Sequence, residues 1–207
     1  MTETAAGDTR SKILIAAATM FAEDPTARLS VRAVAARAGV STGSLRHFFP
    51  NQQTLIDTVV EGLMTLDIPD DPMADTSQSA GERLEACLQL LLAGVGTGDQ
   101  ARRNWTSLHD AYVASPLPDD AAQTFFAIDR LAVGRIARWL ETLRDEGALS
   151  AGHLEQRARF LLTVVNGLSF ERAFPGARAR LEFESSTLRL AVTAVLADPP
   201  PVSTPAS

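Results

Sequence analysis

This chain of 207 residues has little cysteine and histidine. It has one cysteine, Cys87, so no internal disulfide can form, and a reducing, cytoplasmic setting is expected. Its three histidines, His47, His109 and His153, lie far apart and fit neither H-x-x-x-H nor the E-x-x-H step of di-iron bundles. No metal or cofactor is therefore expected. No apolar run reaches the ~20 residues of a membrane-spanning helix. The opening MTETAAGDTR also lacks the basic-then-apolar order of a signal peptide, so no membrane partner is expected. No stretch alternates with period two for long enough to demand a strand, and the fold class expected is all-α.

Positive charge is also scarce overall, with 19 Lys and Arg against 25 Asp and Glu, a net of −6. The deficit is not spread evenly. Between Thr9 and Pro50 stand six basic residues (Arg10, Lys12, Arg28, Arg32, Arg37, Arg46) against Glu23 and Asp24. Six minus two gives +4 there and leaves −10 for the remainder. A basic module joined to an acidic body fits nucleic-acid binding by one end of the chain.

Within that module, SVRAVAARAGVSTGSLRHFF (30–49) reads as two short helices across a glycine turn. Ser30 is suited to cap the first helix, and Val31, Val34 and Ala35 give it an apolar stripe. Gly39 suits the left-handed residue that closes it, Val40 plugs the turn, and Ser41 caps the second helix. Thr42, Ser44, Arg46 and His47 then supply donors and acceptors, Gly43 allows close approach, and Leu45 with Phe49 anchors the helix. This is the helix-turn-helix pattern, whose second helix enters the DNA major groove. Arg46 is the natural guanine reader, and serine or threonine contacts base or phosphate.

The surrounding residues resemble the TetR/AcrR family of bacterial transcriptional regulators. The match begins at Arg10, Ile13, Leu14, Ala17, Ala18 and Phe21. It resumes through Leu29-Ser30-Val31, Val34-Ala35, Ala38-Gly39-Val40, Ser41, Gly43-Ser44-Leu45, Phe49 and Leu55. Two positions depart from the family pattern: Arg46-His47-Phe48 stands where an aromatic pair and histidine are usual, and Gln52 where lysine is common. The resemblance implies DNA contacts from Arg10, Ser30, Arg32, Ser41, Thr42, Gly43, Ser44, Arg46, His47, Phe48 and Gln52. It also implies a homodimer on a palindromic double-stranded operator, released by a small-molecule inducer and acting as a repressor. The C-terminal two-thirds, with its Asn166-Gly167-Leu168 step, is similar to the ligand-binding half of betaine-regulator-type members.

About nine helices are expected, with a flexible arm at 1–8, a DNA-binding domain at 9–67, a ligand-binding and dimerisation domain at 68–197, and a disordered proline-rich tail at 198–207. IPDDPMADTSQ (68–78) is the boundary, having two prolines, clustered acids and no period. The eighth helix, expected at 151–174, is apolar nearly all round at FLLTVVNGLSF and needs cover on every face. With the ninth, at 183–197, it is the expected dimer interface. Trp105, His109 and Tyr112 fall at i, i+4 and i+7 of the sixth helix, on one face. With Phe125, Phe126 and Asp129 of the seventh helix and Asn166 of the eighth, they are the candidate ligand pocket.

Other patterns carry less. Gly39-Val40-Ser41-Thr42-Gly43 spells G-x-S-x-G, but a nucleophile elbow needs a preceding strand and a parallel sheet. Gly94 to Gly98 follows a helix and has no nearby lysine, so it is a connector rather than a phosphate loop. The rival to a regulator is a helical-bundle enzyme or binding protein whose N-terminal third is only structural.

Overall fold

The computed structural model describes residues 2–23, 29–65, 70–114, 116, 119–150, 152–174 and 177–197, excepting the side chains of 2–7, 21–22, 64–65, 119–121 and 177–182. Every regular element among them is helical. In order they are α1 (Thr2–Glu23), α2 (Val31–Ala38), α3 (Thr42–Phe48), α4 (Gln52–Thr65), a 3-10 turn (Pro72–Ala74), α5 (Ala80–Ala93), α6 (Asp99–Tyr112), α7 (Asp119–Asp145), α8 (Leu154–Glu171) and α9 (Ala177–Leu196). The expected tail lies outside the described residues.

α1 starts well before residue 9 and takes in the stretch expected to be a free arm. Ala5 and Ala6 are strong helix formers, and Lys12 reaches back one turn to Asp8 at 2.6 Å.

The chain forms two compact units. One comprises Met1–Leu66 and Thr106–Ala132, the other Asp67–Trp105 and Val133–Ser207. The unit that holds the helix-turn-helix is therefore larger than 9–67. Its core joins Ile13 and Ala17 of α1, Val34 and Ala35 of α2, Leu45 of α3, Phe49, and Leu55, Ile56, Val59 and Val60 of α4. Ala127 of α7 is fully buried in that same core, and Ile128 and Leu131 pack against it.

In the other unit α5, α8 and α9 pack on one another. Ser79 and Glu82 form a capping box that starts α5, and Val192 and Leu196 of α9 lie against Gly81. Arg172, at the end of α8, donates to both carboxylate oxygens of Glu184 at 2.6 Å and to the Leu92 carbonyl that ends α5.

The division between the units falls at Leu66/Asp67, beside the segment expected as the boundary, and the described part of that segment is built into this second unit. Asp71 caps the 3-10 turn and Met73 is buried. Arg83, itself buried, donates to the Met73 carbonyl at 2.9 Å and pairs with Glu146. α8 is not covered on every face. Ala158, Leu161, Leu162, Val165 and Leu168 are buried, while Phe160, Thr163, Asn166, Gly167 and Phe170 are exposed. The helix has an inner and an outer stripe after all, and two phenylalanines on the outer one disguise the period.

Candidate nucleic-acid interface

Three local devices shape the helix-turn-helix. The Ser30 hydroxyl accepts from Ala33 N at 3.2 Å and starts α2. Gly39 ends α2 with φ 68°, a left-handed conformation that costs glycine nothing, and Val40 N then reaches back to the Ala35 carbonyl at 3.0 Å. The Ser41 hydroxyl accepts from Ser44 N at 3.0 Å and starts α3. Two serines named as DNA contacts thus use their side chains for capping.

The capped α3 turns Leu45 into the core, followed by Phe49, and leaves Thr42, Gly43, Arg46 and His47 exposed on the other side. Ser44 is half-buried. Phe48 is also half-buried, packed against the core and edge-on to His47 at 5.1 Å, so it supports the helix more than it presents a surface. A Cβ on Gly43 would meet nothing nearer than the Ser41 hydroxyl at 3.8 Å. The fold itself therefore does not require glycine there. Arg32 is exposed on α2, and the Arg10 guanidinium lies over the Phe49 ring, 5.6 Å from its centroid.

Gln52 departs from expectation. Its Nε2 is buried without a hydrogen-bond partner, so the amide is turned inward rather than offered to a phosphate. Asn51 does cap α4 as its type suggests, its Oδ1 accepting from Thr54 N at 2.8 Å. Sequence reasoning missed Arg130 of α7. It donates to Asp57 of α4, and Gln53 Nε2 donates to the same oxygen at 2.8 Å. The partners lie 73 residues apart, and no local pattern marks them.

The seven residues expected to line a ligand pocket fall into separate groups. Trp105 is half-buried and edge-on to Phe170, which in turn meets Phe174. Buried Tyr112 packs on Phe125 at 5.3 Å, and Phe125 on the exposed Phe126. His109 is exposed beside Asp110, Asp129 is half-buried on α7, and Asn166 faces outward on α8. In the Asp67–Trp105, Val133–Ser207 unit, a groove of about 640 Å³ runs between the 70–74 turn and the second half of α7. None of the seven lines it. Among the described residues no three His, Cys, Asp or Glu side chains are grouped to hold a metal, and no helix is long and apolar enough to cross a membrane.

A capped, glycine-turned helix pair with a polar outer face on an all-helical scaffold defines a helix-turn-helix protein. Residues 13–59 match the family described as bacterial regulatory proteins, tetR family. Over 55 residues it is 36% identical to the HTH-type transcriptional repressor KstR2 of Rhodococcus jostii (strain RHA1). That stretch is 27% of this chain and 27% of the relative, so the match spans about a quarter of the relative's length. Its fold is similar to that of a TetR-family transcriptional regulator from Pectobacterium atrosepticum. The TM-score is 0.50 at 19% identity, with 97% of this chain and 100% of the other covered. A TetR transcriptional regulator from Rhodococcus sp. RHA1 aligns over 97% of this chain and 100% of its own, with a TM-score of 0.48 and 18% identity.

Proposed function

We propose that the protein is a DNA-binding transcriptional repressor of the cytoplasm that grips a palindromic operator as a homodimer and is released by a small molecule. One observation carries this reading: Thr42, Gly43, Arg46 and His47 stand exposed together on a helix fixed from behind by Leu45 and Phe49. Such a face has donors for base edges and room for close backbone approach. Arg46 is the reader, Thr42 and His47 flank it, and Arg10 and Arg32 supply charge for phosphates. Ser30 and Ser41 act by holding the two helices in register.

The dimer contact is assigned to the outer stripes of α8 and α9. Phe160 and Phe170 on α8, and Phe183 and Leu190 on α9, are large apolar side chains left exposed by these helices. Large apolar groups gathered on one pair of helices mark an interaction surface. A second copy of the chain covers them and sets two α3 helices about one helical turn apart, ~34–36 Å. The test of the function is a gel shift with the intergenic DNA upstream of the protein's own gene. Retardation that survives excess unrelated duplex supports the reading, and uniform weak binding to all duplexes contradicts it.

A further inference from the structure

The groove beside α7 holds opposite charges that do not satisfy one another. Asp71 is committed to structure: it accepts from Met73 N at 2.9 Å and from Trp139 Nε1 at 3.0 Å, and the buried Cys87 thiol lies 3.5 Å from it. Burial pushes the Cys87 thiol well above its ordinary value, so it stays protonated and plays no part in charge balance. Met73 and Trp139, both nearly fully buried, form an apolar floor. Around that floor stand Arg138, Glu141 and Asp70, and among the described residues none of the three makes an ion pair or side-chain hydrogen bond. Arg138 is half-buried, while Glu141 and Asp70 are exposed. Asp70 takes a left-handed φ of 54°, alone among the described non-glycine residues.

Arg138, Glu141 and Asp70 thus present one guanidinium and two carboxylates to the same groove with no partner among the described residues, an arrangement that suits a molecule carrying both charges. Arg138 and Glu141 lie three residues apart on α7, a rise of about 4.5 Å along the axis. A small molecule with a carboxylate at one end and an ammonium at the other spans that gap. At about 640 Å³ the groove is within the ~300–1,000 Å³ of ordinary small-molecule sites.

We propose that this groove is an effector site for a small zwitterion, its carboxylate on Arg138 and its ammonium on Glu141 and Asp70, over the Met73–Trp139 floor. The inference rests on reading the protein as a ligand-controlled DNA binder. α7 supplies the route of control. The helix is continuous from Asp119 to Asp145; in its first half Arg130 pairs with Asp57 of α4 and Ala127 is buried in the helix-turn-helix core, and its second half is the groove wall. A ligand on the second half of α7 can act on the DNA-binding module through this one helix, and the operator titration below tests whether it does.

The experiment uses the full chain with Trp105→Phe, which leaves Trp139 as the single tryptophan. It is titrated with γ-aminobutyrate, δ-aminovalerate and ε-aminocaproate, and with n-pentylamine and valerate as single-charge controls. Tryptophan emission and operator affinity are followed in parallel. The zwitterions should give a saturable emission change that neither control gives. Arg138→Ala and Glu141→Ala should each raise the dissociation constant about tenfold or more. A zwitterion that binds should also weaken the operator complex, and the operator should weaken the zwitterion by the same factor. No saturable change at millimolar zwitterion, or an unaltered one in Arg138→Ala, overturns the assignment. If the operator is bound normally in that case, the groove assignment falls alone. If zwitterions bind as described but no specific duplex does, the site stands and the regulator reading falls.

Discussion

At position 43 the demands of the fold and of DNA binding can be separated. Gly43 has a helical backbone and open space where a Cβ would go. Gly43→Ala should therefore stabilise α3 by up to about 1 kcal/mol. If α3 lies against a duplex, the same methyl stands in the contact, and operator affinity should fall while the melting temperature holds or rises. Parallel thermal melts and anisotropy titrations check this. An affinity left unchanged would take Gly43 out of the interface.

Arg46→Ala should cost about 1–3 kcal/mol and relax the preference at one base pair per half-site. A loss uniform across sequences, with a shallower salt slope, would make Arg46 a phosphate contact instead. Replacing Gln52 by lysine, attractive from the sequence alone, places an ammonium where the amide nitrogen is buried, so the structure gives no reason to expect tighter binding.

A pH effect also belongs to the residue scale. The hydrogen bonds from Arg83 hold the Glu146 carboxyl below its ordinary value, and Ser79 does the same for Glu82. A carboxyl lowered on folding adds stability that is present above its unfolded value and lost as pH falls through the folded one. Acidification through and below the ordinary glutamate range should therefore lower the melting temperature, and Glu146→Gln should flatten that acid limb. Melting temperatures taken across the range, variant against wild type, supply the measurement.

At the scale of elements, stop and start signals were legible because they are local. Ser30, Gly39 and Ser41 act on backbone groups within four residues, and each does what its type suggested. Gly39→Ala must force a side chain into φ 68° and should cost about 1 kcal/mol or more by thermal melt. The capping box at Ser79 and Glu82 is equally local, an S-x-x-E at the start of an apolar helix. What could not be read is non-local. Arg83 finds Glu146 63 residues away, and Arg130 finds Asp57 at 73. Nothing near 68–78 signals that Asp71 will accept from Trp139. For α8, composition shows that most positions are apolar but not which of them neighbouring helices cover.

For the whole molecule, charge polarity along the chain and the all-helical class were open to reading, whereas the grouping of Thr106–Ala132 with the DNA-binding module was not. That grouping depends on Ala127, Ile128 and Leu131, which look like any other inner stripe of a long helix. The dimer is tested at this scale. Light scattering at micromolar concentration should give twice the chain mass. Leu190→Glu, at a position 72% exposed, should give a folded monomer. Wild-type protein already monomeric would remove the α8–α9 contact. A substitution at Leu162 or Val165, both buried within the chain, would instead report on folding.

The central claim is that this chain reads a specific duplex through α3. A footprint and anisotropy titration on the DNA upstream of its own gene tests it most directly, with wild type and Arg46→Ala side by side. Two protected half-sites related by a dyad and spaced by about one helical turn are expected. Competition should favour that DNA over scrambled duplex by a factor of about 10³ or more, with the preference reduced in Arg46→Ala. Equal affinity for the upstream and scrambled duplexes, identical in the two proteins, would contradict it.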